Sequence, residues 1–298
     1  MQAELRRSGF RGQLVAECPL GPLVTWRIGG PAELLASPAD EQDLALLVSC
    51  AAEHGVAWRV LGNGSNLLVH DRGVRGLVIR LRRILDTVRI AGTTLSAGAG
   101  AMFPLVAHQA AAAGLAGIEF GAGIPGTIGG AIRMNAGWHE HEIGTFVRRV
   151  AVLDATGRRA ELDRDACAFR YRGSRFRDQR GSIVLEAELE LARDDPRAVR
   201  ERMDGFTGSR KRNQPTELPS CGSVFLKPPG DFAGRLIEQA GLKGLRVGRV
   251  EVSRKHANFF VNLGGATSAD VLELVERVEA EVERGFGVRL VREFELWE

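Results

Sequence analysis

The chain has 298 residues, 44% hydrophobic and 26% charged, with a formal charge of +3, values that describe a globular protein and exclude a disordered or collagenous one. No apolar run approaches the ~20 residues that a membrane-spanning helix requires. One tyrosine and scattered basic pairs (Arg6-Arg7, Arg82-Arg83, Arg148-Arg149, Arg158-Arg159) read as solvated surface and exclude the basic, aromatic-interleaved face that binds nucleic acid.

In chain order, Ser37-Pro38-Ala39-Asp40 reads as a helix start, followed by Leu44, Leu47, Val48 and Ala51 at helical spacing and a stop at Gly55. Short strands are expected at 58–61, 67–69 and 77–81, joined by Gly62-Asn63-Gly64-Ser65-Asn66 and a turn at Asp71-Arg72-Gly73. A helix over 103–113 precedes the glycine-rich segment 121–137, and strands are expected at 147–154 and 183–191. Asp195-Pro196 starts a helix through Met203, and the charged, proline-containing stretch 207–220 reads as a linker. Helices follow at 231–240 and 267–284, the second with a Thr267/Asp270 capping pair and Gly285 as its stop, and residues 288–297 alternate as a strand. The expected domains are 1–81, 82–205 and 206–298.

Gly121 to Gly137 is too apolar for a linker and too glycine-rich for a helix, so a bound group lying against its backbone is the natural reading. Gly121, Gly123 and Gly126 fit the G-x-G-x-x-G spacing of a Rossmann turn. That turn needs a strand before it and a helix after it, whereas Pro125 removes an N–H group and Gly129-Gly130 disfavour the helix. The Gly62 to Asn66 loop offers unencumbered N–H groups suited to a diphosphate, although a plain hairpin loop explains it equally well. Arg172, in Tyr171-Arg172-Gly173-Ser174, suits a carboxylate or phosphate through its planar fork, against a solvated-loop alternative.

Ser223, in Ser220-Cys221-Gly222-Ser223-Val224-Phe225, lacks the G-x-S-x-G frame of a hydrolase nucleophile, and Cys221 is a candidate thiol acid or nucleophile. His139-Glu140-His141-Glu142 does not match a zinc motif, and no metal is expected. His256 and Asn258 enter an apolar strand, as core residues or as substrate contacts. Four widely separated cysteines and a polar stretch from Met1 to Gly12 lead to the expectation of a reducing, cytoplasmic setting.

Taken together these segments resemble the UDP-N-acetylenolpyruvoylglucosamine reductase family along nearly the whole chain. The carrying motifs are Thr25-Trp26-Arg27-Ile28-Gly29-Gly30, Gly62 to Asn66, Gly123 to Gly130 through Met134-Asn135-Ala136-Gly137, and Tyr171-Arg172-Gly173-Ser174. They continue with Gln214-Pro215, Pro219 to Ser223, Ala233-Gly234-Arg235-Leu236-Ile237 and Lys255-His256-Ala257-Asn258. The short spacing after the Tyr-Arg motif is similar to the family's compact subtype.

The resemblance implies an α+β fold: a two-domain FAD-binding architecture of the vanillyl-alcohol-oxidase type plus a third, substrate-binding domain. It implies non-covalent FAD, NADPH as hydride donor, and UDP-N-acetylglucosamine enolpyruvate as the substrate reduced in peptidoglycan precursor synthesis. Carried over by motif, Ser223 protonates C2, Arg172 binds the carboxylate and Glu293 assists, with Glu295 as the alternative. FAD contacts fall to Gly62, Asn63, Gly64, Ser65, Asn66, Gly123, Ile124, Pro125, Gly126, Thr127, Ile128, Gly129, Asn135 and Gly137. Substrate contacts fall to Tyr171, Lys227, His256 and Asn258. Leu226-Lys227-Pro228-Pro229 departs from the family's frequent Lys-Asn-Pro after the phenylalanine, which displaces the lysine and removes the asparagine. A monomer or weak oligomer is expected. The competing readings are another flavin-dependent oxidoreductase of the same fold and a nucleotide-sugar sensor without turnover.

Overall fold

The computed structural model describes residues 1–179 and 181–298. Two compact units divide the chain: Met1–Ala16, Leu34–Asn63 and Gly76–Gly208 form the first, and Glu17–Glu33, Gly64–Arg75 and Ser209–Glu298 the second.

In the first unit the helix Glu41–Glu53 starts later than the sequence suggests. Asp40, not Ser37, is its cap, and the Asp40 carboxylate accepts from the Asp43 N–H at 3.0 Å. An anion at this position satisfies an orphan donor and meets the positive end of the helix dipole. Leu44, Leu47, Val48 and Ala51 are buried as their spacing predicts, packing with Leu34, Ala36, Leu77 and Ile79. The strand Trp58–Leu61 pairs in parallel with Val74–Arg80, longer than expected, in the register Leu61 opposite Arg80. Their sheet runs in the order Gln13–Pro19, Pro31–Ser37, Val74–Arg80, Trp58–Leu61.

A second sheet of this unit has five strands in the order Arg159–Asp163, Val147–Leu153, Ile183–Glu190, Thr94–Gly98, Val88–Ala91. It carries a separate core that includes Leu95, Phe103, Phe120, Ile128, Ile132, Val150 and Leu189. Contrary to expectation, the glycine-rich segment contains a helix, Ile128–Met134. Thr127 caps it by accepting from the Gly130 N–H, and Ile128, Ala131 and Ile132 are buried. Burial of those side chains, at about 1.5–3 kcal/mol for each large one, exceeds the roughly 1 kcal/mol that each glycine costs a helix. What precedes Ile124 is a 3₁₀ turn, Glu119–Gly123, and not a strand, so the Rossmann reading fails on that side. The helix Pro196–Asn213 runs well into the stretch read as a linker.

In the second unit the helix Ser268–Phe286 has the expected Thr267/Asp270 capping box. It passes Gly285 and ends at Gly287, whose φ of 66° is the left-handed closing conformation that glycine adopts without a Cβ clash. The helix Ala233–Gln239 and a three-stranded sheet, Arg246–Val247, Val250–Val252 and Phe260–Asn262, complete the core with Trp26, Val224, Phe225 and Phe294. Trp26 is fully buried and donates from Nε1 to the Phe260 carbonyl at 3.1 Å, while the Asn262 amide donates to the Trp26 carbonyl at 2.9 Å. Of the predicted terminal strand only Glu295–Trp297 is regular, paired in parallel with Leu67–Val69. The chain before it is held differently, since Arg292 forms a bidentate pair with Glu279 of the long helix at 2.8 and 2.9 Å. Among the described residues no helix is long and apolar enough to cross a membrane.

Candidate active site

The first unit brings together two of the predicted loops. The Asn63 side chain donates to the Pro125 carbonyl, and a Cβ on Gly62 would meet Thr127 Oγ1 at 2.6 Å, so only glycine allows this approach. Behind them the Ile128 and Gly129 N–H groups donate to the Ala101 and Ala99 carbonyls, both at 2.9 Å, and Gly126 accepts from Phe103 at 2.9 Å. The N–H groups of Gly62 and Asn63 have no acceptor among the described residues. Adjacent free N–H groups of this kind form an anion-binding concavity, so these residues fit the diphosphate of a dinucleotide. Gly123 and Ile124 lie in the turn that leads into this contact, where the Ile124 N–H donates to Gly121.

Asn135 and Gly137 serve a different part of the unit. Asn135 is buried, with a left-handed φ of 44°. Its amide donates to Glu142 at 2.7 Å and to the Arg170 carbonyl at 3.0 Å, and accepts from the Gly144 N–H at 2.9 Å. Its side chain is thus fully engaged inside the protein, where it fixes the turn between Arg170 and Gly173. That turn, closed by backbone bonds of 3.0 and 2.9 Å between Arg170 and Gly173, presents Tyr171 and Arg172 at its corners. Arg172 donates to the Gly137 carbonyl at 2.9 Å and lies 5.4 Å from the Tyr171 ring centroid. Tyr171 is half exposed. Ser174, fully buried, anchors the motif through a 2.8 Å bond to the Arg133 carbonyl.

In the second unit Gly64 continues the loop with a φ of 61°, and its carbonyl accepts from the Thr25 N–H at 3.2 Å. Thr25 Oγ1 reaches the Ser220 carbonyl at 2.7 Å. The N–H groups of Gly64 and Ser65 also lack an acceptor among the described residues. Asn66 is tied to the C-terminal segment: its amide donates to the Glu293 carbonyl at 3.2 Å and its carbonyl accepts from the Glu295 N–H at 3.0 Å.

Ser223 begins an extended run held on both sides. It bridges Phe259, the next N–H, of Val224, donates to the Asn258 carbonyl at 2.8 Å, and Phe225 bridges Arg292. On the far side the Glu293 N–H donates to the Val224 carbonyl at 2.8 Å and the Leu226 N–H to the Val291 carbonyl at 2.8 Å. Glu293 is therefore the backbone partner of the residue next to Ser223, while Glu295 pairs with the Asn66–Leu67 stretch. Ser223 is half-buried and its hydroxyl has no hydrogen-bond partner among the described residues. Cys221 is buried, and burial together with the nearby Glu293 charge pushes its thiol well above the ordinary range. It is a neutral thiol and not a nucleophilic thiolate.

Asn258 and His256 are core-facing rather than open. Asn258 holds Phe225 by both ends of its amide. His256 packs edge-on against Phe259 at 4.8 Å, and burial, then the charge of Lys243, lowers its pKa. Lys227 is exposed, with its ammonium 4.4 Å from the ring of exposed Phe232. Asn258's role as a clamp has no local sequence signal, since its partner is Phe225.

Comparison with known proteins shows the family of the chain. Residues 32–163 match the FAD binding domain family, and residues 214–297 match the C-terminal domain of UDP-N-acetylenolpyruvoylglucosamine reductase. The UDP-N-acetylenolpyruvoylglucosamine reductase of Rubrobacter xylanophilus is 48% identical over 91% of this chain and 91% of its own length. That of Moorella thermoacetica is 46% identical over 98% of this chain and 95% of its own. The solved reductase from Thermus caldophilus superposes with a TM-score of 0.83 at 38% identity, covering 97% of this chain and 100% of that one. A berberine bridge enzyme variant, at 14% identity, a TM-score of 0.51 and coverage of 65% of this chain and 43% of its own, shares the fold alone. The chain belongs to the UDP-N-acetylenolpyruvoylglucosamine reductase family of FAD-binding oxidoreductases.

Proposed function

We propose that this chain uses NADPH to reduce UDP-N-acetylglucosamine enolpyruvate to UDP-N-acetylmuramate, a step of peptidoglycan precursor synthesis, in the cytoplasm. The observation that carries the reading is the half-buried hydroxyl of Ser223, on a run whose next residue is bonded to both Asn258 and Glu293. The chemistry that FAD supplies when bound is hydride transfer between NADPH and C3 of the enolpyruvyl group. Gly62, Asn63, Gly64 and Ser65 would hold its diphosphate through their free N–H groups. No histidine stands in the loop 62–66 or in 123–130, which supports non-covalent attachment.

The protein's own residues then manage charge and proton. Arg172 receives the substrate carboxylate, on which negative charge grows as the double bond is reduced. A unit charge ~4 Å away contributes roughly 4 kcal/mol at an effective dielectric near 20, about a thousandfold in rate. Ser223 gives its proton to C2, whose carbanionic character makes it basic enough to accept a proton from an ordinary hydroxyl. Glu293 assists Ser223, and its bond to Val224 favours it over Glu295. Tyr171 and Lys227 bind the rest of the substrate, and Asn258 and His256 support the strand beside Ser223. The chain is read as domains 1–81, 82–205 and 206–298, with Trp26, Ile28 and Leu68 packing into the core around Phe225 and Phe260, and Leu153 and Leu185 into the core around Leu77 and Ile79.

An absorbance spectrum tests the reading. Purified protein should be yellow, bleach anaerobically with NADPH, and regain colour on addition of the enolpyruvyl nucleotide. A protein that carries no flavin, or that bleaches and is not reoxidised by this substrate, contradicts it.

A further inference from the structure

Val74–Arg80 alternates across its sheet. Leu77 and Ile79 enter the core with Trp58 and Val60, so Arg80, the last residue of the strand, shares the parity of Val78 and leaves toward the other face, and Arg82 follows in the turn after it. The register places Arg80 opposite Leu61, beside Gly62, and Leu81 donates to the Leu61 carbonyl at 2.9 Å. The chain then turns: Ile84 donates to Leu81 at 2.9 Å, and Gly100 accepts from Arg83 at 3.4 Å and donates to Leu85 at 3.1 Å. Ala99 and Ala101, on either side of Gly100, are the residues that receive the Gly129 and Ile128 N–H groups. Within the first unit the end of the strand at Arg80 thus lies next to the start of the Gly62–Asn63 turn, and Arg82 sits in the turn that bonds to Gly100, between the two residues that anchor the second glycine loop.

Both guanidinium Nε groups are buried and neither has a hydrogen-bond partner among the described residues. The charges that bear on Arg82 are those of Arg83 and Arg80, which, after burial itself, lower its pKa. Two adjacent cations with orphaned N–H groups repel each other and lose hydration, an arrangement that an anion between them reverses. A single carboxylate would neutralise one of them. A diphosphate offers two charges and enough oxygens for two planar forks together with the free Gly62 and Asn63 N–H groups.

We propose that Arg80 and Arg82 form a clamp for the diphosphate of the bound flavin dinucleotide, an assignment that rests on the FAD reading above. The arginines add charge to a cradle otherwise made of backbone, and they set preference for the phosphorylated flavin over the bare isoalloxazine and ribityl chain.

The test is titration of the apoprotein with FAD and, separately, with riboflavin, which has no phosphate, followed by flavin fluorescence. For the Arg80→Gln/Arg82→Gln variant the FAD Kd should rise about a hundredfold, roughly tenfold per charged hydrogen-bonding group, with the riboflavin Kd unchanged. If the double variant does not fold, Arg82→Gln alone should raise the FAD Kd about tenfold. An FAD Kd within about threefold of the native value, well below the effect of one charged contact, overturns the proposal. So does an equal loss of FAD and riboflavin affinity, which would mark a packing role. A native chain with no FAD affinity would instead overturn the cofactor reading itself.

Discussion

Asn258 grips Phe225 by both ends of its amide: Oδ1 accepts from the Phe225 N–H at 3.0 Å and Nδ2 donates to the Phe225 carbonyl at 2.9 Å. Both residues are buried, and the Asn258 carbonyl also receives the Val224 N–H at 2.8 Å. The run that carries Ser223 is therefore set by a side chain far along the sequence. Asn258→Asp replaces the donor with an acceptor facing a carbonyl. It should cost about 2–4 kcal/mol of stability, the loss of a charge-mismatched buried pair, measurable by denaturant unfolding. At a temperature where the variant is folded, product formation should fall more than flavin reduction by NADPH.

Arg172 is held by the Gly137 carbonyl and by the turn that Asn135 fixes. Arg172→Met should lower kcat about a thousandfold, the rate equivalent of roughly 4 kcal/mol of charge stabilisation. Arg172→Lys should recover only part, since an ammonium cannot copy the planar fork. Steady-state kinetics with the enolpyruvyl nucleotide checks both variants, and near-normal kcat in the methionine variant counts against the carboxylate contact.

Burial lowers the His256 pKa below its ordinary value, so the folded protein holds this imidazole neutral more firmly than the unfolded chain does. The unfolded chain then binds more protons as pH falls through about 6.5, the unperturbed histidine value. Stability from this group is present above that pH and is lost progressively below it. Denaturant midpoints measured from pH 8 down to pH 5 should fall, and His256→Gln should flatten part of that slope. An unchanged slope in the variant removes His256 as the source.

Burial first, and then the Glu293 charge, hold Cys221 as a thiol. Iodoacetamide should leave it unmodified in the folded protein and alkylate it after denaturation. Cys221→Ala should keep turnover within about threefold, because it removes no charged or proton-donating partner that the mechanism uses. A loss comparable to that of Ser223→Ala would give the thiol a share in proton donation.

Local signals were legible where local physics decides. The Thr267/Asp270 capping box and the apolar spacing of Leu44, Leu47, Val48 and Ala51 both stand in the structure. The helix Ile128–Met134 was not legible, because Gly129 and Gly130 argue against it and only tertiary burial of Ile128, Ala131 and Ile132 with the Thr127 cap reverses that preference. The motif order around Ser223, Arg172 and the glycine loops was readable through family resemblance. The contacts that set these residues were not, since Asn258 with Phe225 and Gly62 with Thr127 join positions far apart in sequence. Arg82 reads locally as half of a solvated basic pair, yet its Nε is buried in the turn that follows the strand, a placement that no local pattern signals.

Proton donation from Ser223 is the central claim, and anaerobic rapid mixing of Ser223→Ala separates the two half-reactions. Flavin bleaching by NADPH should proceed at the native rate, while return of colour on mixing with the enolpyruvyl nucleotide should slow by about 10²–10⁴, the range for loss of a positioned general acid. Native-rate return of colour with formation of UDP-N-acetylmuramate, or an equal slowing of both halves, would contradict the account.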